Sequence, residues 1–499
     1  MTAATHVEMT SFRRGCETGR MPLEIPEGSV RADAMLSRAE AYKLGQSKRA
    51  ATPRDALAVF SATDAPAPGV AEATAGERDV VAHLAEQNLT RDPVLVPLRM
   101  ERMLANPFAF YRGTAGLMAL DLGRGPHSGI MVAACGDAHI SNFGFFASPE
   151  RKLVFDLNDF DEAAVAPWDW DVKRLVTSIV VGGMHAEYSE REIRRAARQS
   201  LRAYRSGLTA LQKTSPLERY YMHGNVDFAR NSLSSEGQNL LHDAVKAAGK
   251  RTAERVVRRT TDVGADGILR FVENPPTMTR LDPSALGEGA SRVELFAQYR
   301  ETVPLDIDTV LAQYAPTDLV RRVVGVGSVG TQCFLQLLQG SDGDALVLQV
   351  KEASTSVLER YGGIAQPPRV TDGVAAHGQG FRVVNLQRIL QAVSDPFLGH
   401  LQRGERDFYV RQFHDMKGSI ELEGLAFRPY LDYVRTCGAM IARAHAQSPT
   451  AGQIVGYLGT LNAAIDAIIE WSFTYARQSL RDFEAVRAAH PDALLHAPA

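Results

Sequence analysis

Long hydrophobic runs are missing from this sequence of 499 residues, and their absence excludes two classes of protein. No run approaches the roughly 18 apolar residues that a membrane-spanning helix requires. The polar N-terminal stretch, residues 1–14, also lacks the apolar core of a signal peptide. We therefore expect a cytoplasmic protein without a membrane partner.

Cysteine is also scarce, and charge of neither sign dominates. The four cysteines stand far apart, with no CxxC pair and no pair at zinc-site spacing, so we expect buried, reduced thiols. A formal net charge of −3 provides no broad basic field, and nucleic acid is therefore not an expected partner. The apolar content of 45% is that of an ordinary globular protein, and the length suffices for two or three lobes.

Two stretches rich in acidic residues each lie next to a short apolar run. Residues 136–144 (GDAHISNFG) come directly after the run 130–135, which is typical of a buried strand. Residues 154–162 (VFDLNDFDE) open with a second short apolar run. Both stretches therefore place carboxylates at strand ends, where a catalytic group is held rigidly.

The spacing of polar residues in these stretches predicts a site for phosphoryl transfer. Asn142 follows Asp137 by five positions, and Asp156 comes fourteen positions after Asn142. In such a site one carboxylate orients the attacking hydroxyl, while an amide and a second carboxylate hold magnesium. We therefore assign the hydroxyl to Asp137 and the metal to Asn142 and Asp156. Asp159 is a further candidate for the metal-binding acid.

Two other residues complete the predicted catalytic set. His139 lies between Asp137 and Asn142 in the same stretch. Arg112 stands beside aromatic residues, and its guanidinium matches phosphate or carboxylate oxygens bidentately. A core ion pair with a buried acid accounts for Arg112 equally well, so both interpretations stay open.

A later stretch, residues 167–175 (PWDWDVKRL), carries further acids. Proline near a helix start, with aspartates in the first turn, is ordinary capping and dipole chemistry. We therefore expect structural roles for these residues, and also for His445 near the end of a later helix.

A glycine-rich stretch, residues 323–331, predicts a second part of the site. Its GxGxxG pattern contains Gly325, Gly327, Ser328 and Gly330. In a Rossmann unit such a pattern leads into a helix and is followed by an acid about twenty residues on. In a kinase-type fold it joins two antiparallel strands over the nucleotide phosphates, and a lysine follows on the third strand.

The residues after the glycines favour the kinase-type arrangement. A turn signal, residues 340–344, comes too early for a crossover helix but suits a hairpin. The apolar run after this turn ends at Lys351, which would contact phosphate oxygens as a positive charge. Glu352 is adjacent to Lys351, so the Rossmann alternative also stays open.

Taken together, these motifs resemble a bacterial family, domain-of-unknown-function family 2252 (DUF2252). The resemblance runs from about residue 90 to near the C-terminus and is carried by GDAHISNFG, FDLNDFDEA, PWDWDVKRL, VVGVGSVGTQCF, LQVKEA and YVRQFHDMKGS. The GD-x-H-xx-N segment and the acidic strand after it also resemble the catalytic and metal loops of aminoglycoside phosphotransferases and other protein-kinase-like enzymes.

The kinase-like resemblance implies the same roles as the spacing: hydroxyl activation by Asp137, magnesium at Asn142 and Asp156, and phosphate contacts from the glycines and Lys351. Kinase-like chains place the glycine loop and lysine before the catalytic loop, whereas here they come after it. The lobes would therefore be circularly permuted, which is possible when the chain termini lie near each other. The glutamate partner of Lys351 is not identifiable, and Glu359 is the nearest helical candidate.

Three functional hypotheses follow from these residues. The first is an ATP- and Mg²⁺-dependent phosphotransferase, or a nucleotidyl transferase, acting on an unknown acceptor. The second is a metal-dependent hydrolase, since mixed His and carboxylate ligands suit transition metals. Its ligands would be Asp137, His139, Asp156, Asp159 and Asp161. The third is a catalytically silent kinase-like protein that binds nucleotide as a regulator.

We expect a two-lobed α+β fold that is protein-kinase-like and circularly permuted, with a mostly helical large lobe and a small antiparallel-sheet lobe. Residues 1–76 would form an N-terminal extension and linker, and residues 77–300 a helical lobe with the catalytic and metal loops. Residues 301–425 would form the sheet lobe with the glycine loop and lysine. Residues 426–499 would form C-terminal helices packed on the helical lobe.

Overall fold

The computed structural model describes residues 36–60, 78–222, 233–251, 253–280, 291–323, 325, 329–413 and 418–490. Gly327 and Ser328 of the predicted glycine loop therefore lie outside the described residues. The chain divides into a short first unit, Met1–Ser37, and a second unit, Arg38–Ala499, which holds every element named below. Within the second unit, helices and small antiparallel sheets combine in an α+β fold.

Helices dominate the N-terminal and C-terminal parts of the described chain. In chain order they are α1 (Arg38–Ala51), α2 (Val80–Leu89), α3 (Val96–Met103), α4 (Pro107–Gly113), α5 (Ala115–Gly123), α6 (Trp168–His185), α7 (Glu190–Leu211), α8 (Pro216–Tyr221), α9 (Ser235–Gly249), α10 (Ala253–Thr260), α11 (Arg292–Arg300), α12 (Leu305–Leu311), α13 (Val357–Arg360), α14 (Pro368–His377), α15 (Gln379–Leu390), α16 (Phe427–His445), α17 (Ala451–Leu458) and α18 (Ala463–Ala489). Local sequence explains several helix starts: Ser189 and Ser291 each form a capping box, with Glu192 and Glu294 respectively. None of the helices in the described ranges has the length and apolar character needed to cross a lipid bilayer.

Helix α6 is the centre of the helical core. Nearly all of its residues are buried, including Trp168 and Trp170, and a helix without an exposed face must be covered on all sides. Helices α4, α7 and α18 pack against it, and α16 packs along α7. Trp471 of α18, the last of the three tryptophans of the chain, is buried in the same core. Tryptophan fluorescence therefore reports the folding of this core.

Strands form one six-stranded sheet and three two-stranded pairs within the described residues. In chain order they are β1 (Met131–Ala134), β2 (Phe143–Ala147), β3 (Leu153–Leu157), β4 (Ala164–Pro167), β5 (Thr261–Val263), β6 (Leu269–Phe271), β7 (Met278–Arg280), β8 (Ala315–Arg322), β9 (Cys333–Gln339), β10 (Ala345–Ala353), β11 (Gly399–Arg403) and β12 (Arg406–Gln412). The order in the large sheet is β11-β12-β10-β9-β8-β7, and all neighbours are antiparallel. The pairs are β1 with β4, β2 with β3, and β5 with β6.

The glycine-rich stretch joins β8 to β9, which are antiparallel neighbours. Strand β9 then returns through a short turn, Ser341–Gly343, into β10, so the predicted hairpin is confirmed. Lys351 lies on β10, the third strand of this series. An antiparallel strand directly after the glycines excludes the Rossmann alternative, which requires a crossover helix there.

A buried ion-pair network ties the chain just before α2 to α5 and α18. The Arg78 guanidinium donates to both carboxylate oxygens of Asp121, at 2.7 and 3.0 Å, and to both of Asp482, at 2.9 and 2.6 Å. Tyr475 donates a further hydrogen bond of 2.9 Å to Asp121. The side chains of Arg78 and Asp121 are 5% and 0% exposed, so each buried charge depends on its partner.

Replacing Arg78 by alanine should lower the free energy of unfolding by about 3–5 kcal/mol, because two buried carboxylates lose their shared cation. Arg194 is the matched control, since it bridges two acids, Glu190 and Glu470, at the surface. Arg194→Ala should cost less than about 1 kcal/mol. Urea unfolding followed by tryptophan fluorescence measures both losses, and equal losses would contradict a stabilising role for the buried network.

Candidate functional site

The first acidic stretch, residues 136–144, contains a tight loop directly after β1, which we call the acid loop. Its backbone turns at Gly136, whose φ of +80° lies in the left-handed region that favours glycine. A Cβ at this position would stand 2.1 Å from the backbone oxygen of Glu162. The glycine therefore lets the two acidic stretches approach each other closely.

The carboxylate of Asp171, in the first turn of α6, fixes the backbone of this loop. It accepts hydrogen bonds from the backbone N–H groups of Cys135, at 2.6 Å, and Gly136, at 2.9 Å. His445 Nε2 lies 3.2 Å from the same carboxylate, and the Tyr204 hydroxyl lies 2.9 Å from His445 Nδ1. The three side chains are buried, so the loop rests on a polar network inside the core.

The sequence indicated structural roles for Asp171 and His445, but it did not identify the acid loop as the part that they support. Asp171 is 36 positions from Cys135, whose backbone it binds, and 274 positions from His445. No local pattern therefore connects these residues. The only local signal was the pair of acids in the first turn of α6, which is common at helix starts.

Asp137 is oriented by several contacts within the loop and from α6. Its Oδ1 accepts a hydrogen bond of 2.8 Å from Arg174 Nε, and its Oδ2 lies 3.8 Å from His139 Nε2. The amide of Asn142 donates a 2.6 Å hydrogen bond to the backbone oxygen of Asp137. The Asp137 side chain is 21% exposed, so this fixed carboxylate is accessible from solvent.

His139 is buried beside Asp137. Burial lowers the pKa of its imidazole to about 4, so the ring is neutral at neutral pH. Its Nδ1 atom is buried and has no hydrogen-bond partner among the described residues. A neutral imidazole with an unsatisfied ring nitrogen is able to hydrogen-bond a ligand that enters beside it.

Lys351 joins the sheet to the second acidic stretch. Its ammonium lies 3.5 Å from Asp159 Oδ1 and forms a close ion pair with Asp161. Tyr409, on the neighbouring strand β12, donates a 2.7 Å hydrogen bond to Asp161. Burial alone would lower the pKa of Lys351, but the two carboxylates outweigh it and raise the pKa well above its usual value. Lys351 is therefore a permanent cation, paired with aspartates rather than with the suggested Glu359.

Asp156, predicted as a magnesium ligand, is engaged elsewhere. Its Oδ1 accepts from the backbone N–H of Leu157 and its Oδ2 from that of Ala392, both at 2.9 Å. Arg443 Nη1 lies 3.6 Å from the same carboxylate. The side chain is 1% exposed, so its contacts are those of a buried structural acid. Asp159, the further candidate, is the acid that reaches the site.

Two adjoining cavities bring most of the predicted site residues together. A cleft of about 170 Å³ is lined by Arg112, Asp137, His139, Asn142, Asp159 and Gly325. A larger cavity of about 480 Å³ has Lys351, Asp159 and Gly325 in its lining. Because Asp159 and Gly325 line both cavities, the acid loop, the lysine strand and Gly325 meet at one place.

The described part of the glycine loop is held against the chain around α3. Arg102 Nη1 donates a 2.9 Å hydrogen bond to the backbone oxygen of Gly325, and the backbone N–H of Asp92 donates to Gly330 at 2.8 Å. Gly330 has a φ of +91°, and a Cβ there would stand 2.9 Å from Cβ of Arg91. Gly330 is therefore buried at the base of the loop, whereas Gly325 faces the cavities.

Arg112 faces the cleft rather than a core acid. Burial lowers the pKa of its guanidinium, and the carboxylate of Asp137 opposes this shift. Its Nε atom is buried and lacks a hydrogen-bond partner in the part of the chain that the structure describes. The clamp for phosphate or carboxylate oxygens therefore stays a prediction that this position allows.

Asn142 and Asp159 are the predicted metal ligands that the cleft retains. An amide oxygen and a carboxylate are hard donors, and magnesium is commonly held by one or two carboxylates together with water and substrate phosphates. The donor set of the cleft therefore fits magnesium in a complex with a phosphorylated ligand.

Two of the five ligands of the hydrolase hypothesis have other partners, and the hypothesis stays a prediction. Asp156 is bound by backbone amides, and Asp161 is paired with Lys351. Over the described ranges, no three His, Cys, Asp or Glu side chains are grouped so that they alone would hold a metal ion.

His139→Gln tests the buried neutral imidazole through the pH dependence of stability. The folded-state pKa of about 4 lies below the ordinary value of about 6.5. The unfolded chain therefore binds the proton first, and stability falls as the pH drops from about 6.5 towards 4. The variant lacks this loss. From pH 7 to pH 4.5, the difference in unfolding free energy between variant and wild type should therefore change by about 2–3 kcal/mol in favour of the variant. Urea unfolding at both pH values measures the shift, and a constant difference would contradict a buried neutral His139.

Comparison with known proteins places these features in a family. No curated protein and no solved structure matches the chain. Residues 91–489 match DUF2252, described as an uncharacterized protein conserved in bacteria. The acid loop, the glycine stretch and Lys351 all lie inside the matched region, which covers most of the chain. The chain therefore belongs to the bacterial DUF2252 family.

Proposed function

We propose that this chain is a kinase-like phosphotransferase that uses ATP or another nucleoside triphosphate, with Mg²⁺, to phosphorylate an acceptor hydroxyl. The observation that carries the proposal is the meeting of three sequence-distant motifs at Asp159. Its carboxylate lies 3.5 Å from Lys351 Nζ and lines the same cleft as Asp137 and Gly325. The motifs supply a cation for the phosphates, a carboxylate for the metal and a carboxylate for the acceptor.

The sheet is compatible with a kinase-like arrangement in a different chain order. In protein kinases the glycine loop lies between the first strands, the lysine lies on the third, and the catalytic loop follows later. Here β8, β9 and β10 have the same internal order, whereas the acid loop precedes them. A circular permutation of the two lobes accounts for this order and is part of the proposal.

In the proposed reaction, Asp137 receives the proton of the acceptor hydroxyl. The acceptor oxygen bonds to the γ-phosphorus, the bond from that phosphorus to the bridging oxygen breaks, and the nucleoside diphosphate leaves. Arg174 orients Asp137 through the 2.8 Å hydrogen bond, and Arg112 provides positive charge beside the transferred group. Asn142 and Asp159 would hold Mg²⁺, which when bound neutralises phosphate charge.

Binding of ATP with Mg²⁺, measured by isothermal titration calorimetry, tests the assignment of the nucleotide site. Lys351→Ala and Asp159→Asn should each weaken binding by about 10-fold or more, because a charge-assisted contact to phosphate or metal is lost. Asp137→Asn, a matched carboxylate-to-amide control in the same cleft, should bind within a few-fold of wild type. Tryptophan fluorescence verifies that the helical core of each variant is folded, and circular dichroism verifies its secondary structure.

The nucleotide-site assignment is wrong if wild-type protein does not bind ATP with Mg²⁺. It is also wrong if the folded Lys351 and Asp159 variants bind with unchanged affinity.

Measurement of turnover separates an enzyme from a nucleotide-binding regulator. In an enzyme, slow ATP hydrolysis or transfer to an acceptor should disappear in Asp137→Asn while binding persists. In a regulator, binding is intact and turnover is absent from wild type as well.

A further inference from the structure

A large cavity lies outside the proposed nucleotide site. It measures about 880 Å³ and is formed by α9, α10, the chain between β6 and β7, and the end of β8. Its basic lining consists of Lys246, Lys250, Arg251, Arg255, Arg259 and Arg322. Among the described residues, only two acids, Asp243 and Glu273, line the same cavity, although the whole chain has a net charge of −3. Positive charge is therefore concentrated here.

Three of these six basic side chains have no protein partner among the described residues. Within the described ranges, Lys246, Lys250 and Arg259 form no ion pair and no side-chain hydrogen bond. One of the two acids is already engaged, since Glu273 accepts a 2.7 Å hydrogen bond from the backbone N–H of Arg280. Arg322 has a buried Nε atom without a partner in the described part of the chain.

The placement of these residues on the helices is unfavourable without a ligand. Lys246 and Lys250 stand four residues apart at the end of α9, and Arg255 and Arg259 stand four apart on α10. Like charges at this spacing repel each other on a helix. The helix dipoles favour cations at the C-terminal end of α9 and, for Arg259, in the last turn of α10. A bound anion would relieve the repulsion between the cations.

We propose that this cavity binds a compact polyanion, a small molecule that carries several phosphate or carboxylate groups. Its volume lies in the range of small-molecule sites, and Val256, Met278 and Phe413 provide an apolar part of the lining. The proposal does not depend on the proposed function. The two sites are neighbours, because Phe413 also lines the 480 Å³ cavity and Arg322 ends the strand before the glycine loop.

Calorimetric titration of the full chain with inorganic tripolyphosphate tests the proposal. The double variant Lys246→Gln/Arg259→Gln should weaken binding by about 10-fold or more, because two phosphate contacts are lost. Arg258→Gln is the matched control: Arg258 is an exposed neighbour on the same helix and does not line the cavity. Its affinity should stay within about two-fold of wild type, since the change in net charge alone is screened by salt.

The nucleotide site is the other place where tripolyphosphate would bind, and Lys351→Ala distinguishes the two. We expect this variant to retain the tripolyphosphate binding that the double variant loses. Three results would overturn the proposal. The first is loss of tripolyphosphate binding in Lys351→Ala but not in the double variant. The others are equal losses in Arg258→Gln and the double variant, and no binding by wild type. A thymidine oligonucleotide that binds more tightly than tripolyphosphate and is lost in the double variant would also overturn it, in favour of an extended nucleic-acid surface.

Discussion

The pair formed by Lys351 with Asp159 and Asp161 is the interaction on which the candidate site depends. A buried ammonium group costs several kcal/mol unless carboxylates compensate it. Here the carboxylates come from the segment after β3 and the lysine comes from the interior of the six-stranded sheet. Tyr409 donates a further hydrogen bond to Asp161. Separating the sheet from the acidic segment would leave these charges unpaired, so the same contact that shapes the site also holds its two halves together.

Local sequence patterns were sufficient where the partners are close in the chain. A turn signal followed by an apolar run predicted the β9–β10 hairpin and the position of Lys351 on it. The apolar run before Gly136 predicted the strand that ends at the acid loop, because such runs form buried strands. The clustering of Asp137 with Asn142 followed from their five-residue spacing within one short loop. In each case the structure is determined by residues within about one hairpin of each other.

Local sequence patterns did not predict the role of a residue whose hydrogen-bond partner lies far away in the chain. Asp156 lies on β3, which is buried along nearly its whole length, so alternation along the strand does not indicate which acid faces a cleft. The group that engages it, the backbone of Ala392, is 236 positions away. Asp171 has the sequence context of an ordinary helix cap, and only the folded chain shows that it supports the acid loop. The basic cavity is likewise assembled from separate helices and a strand, so the overall charge of −3 conceals it.

The candidate site and the basic cavity differ in charge: the first pairs acids with bases, and the second is mainly basic. This difference bears on the ligand proposed for each. At the candidate site, Asp137 is paired with Arg174, and Lys351 is paired with Asp159 and Asp161. A surface with both signs is compatible with the proposed ligand, a nucleotide whose phosphates carry magnesium. The lining of the basic cavity contains six basic residues and, among the described residues, two acids. An unbalanced field of one sign attracts the opposite sign, so a free polyanion, rather than a metal–nucleotide complex, is the ligand that this cavity favours.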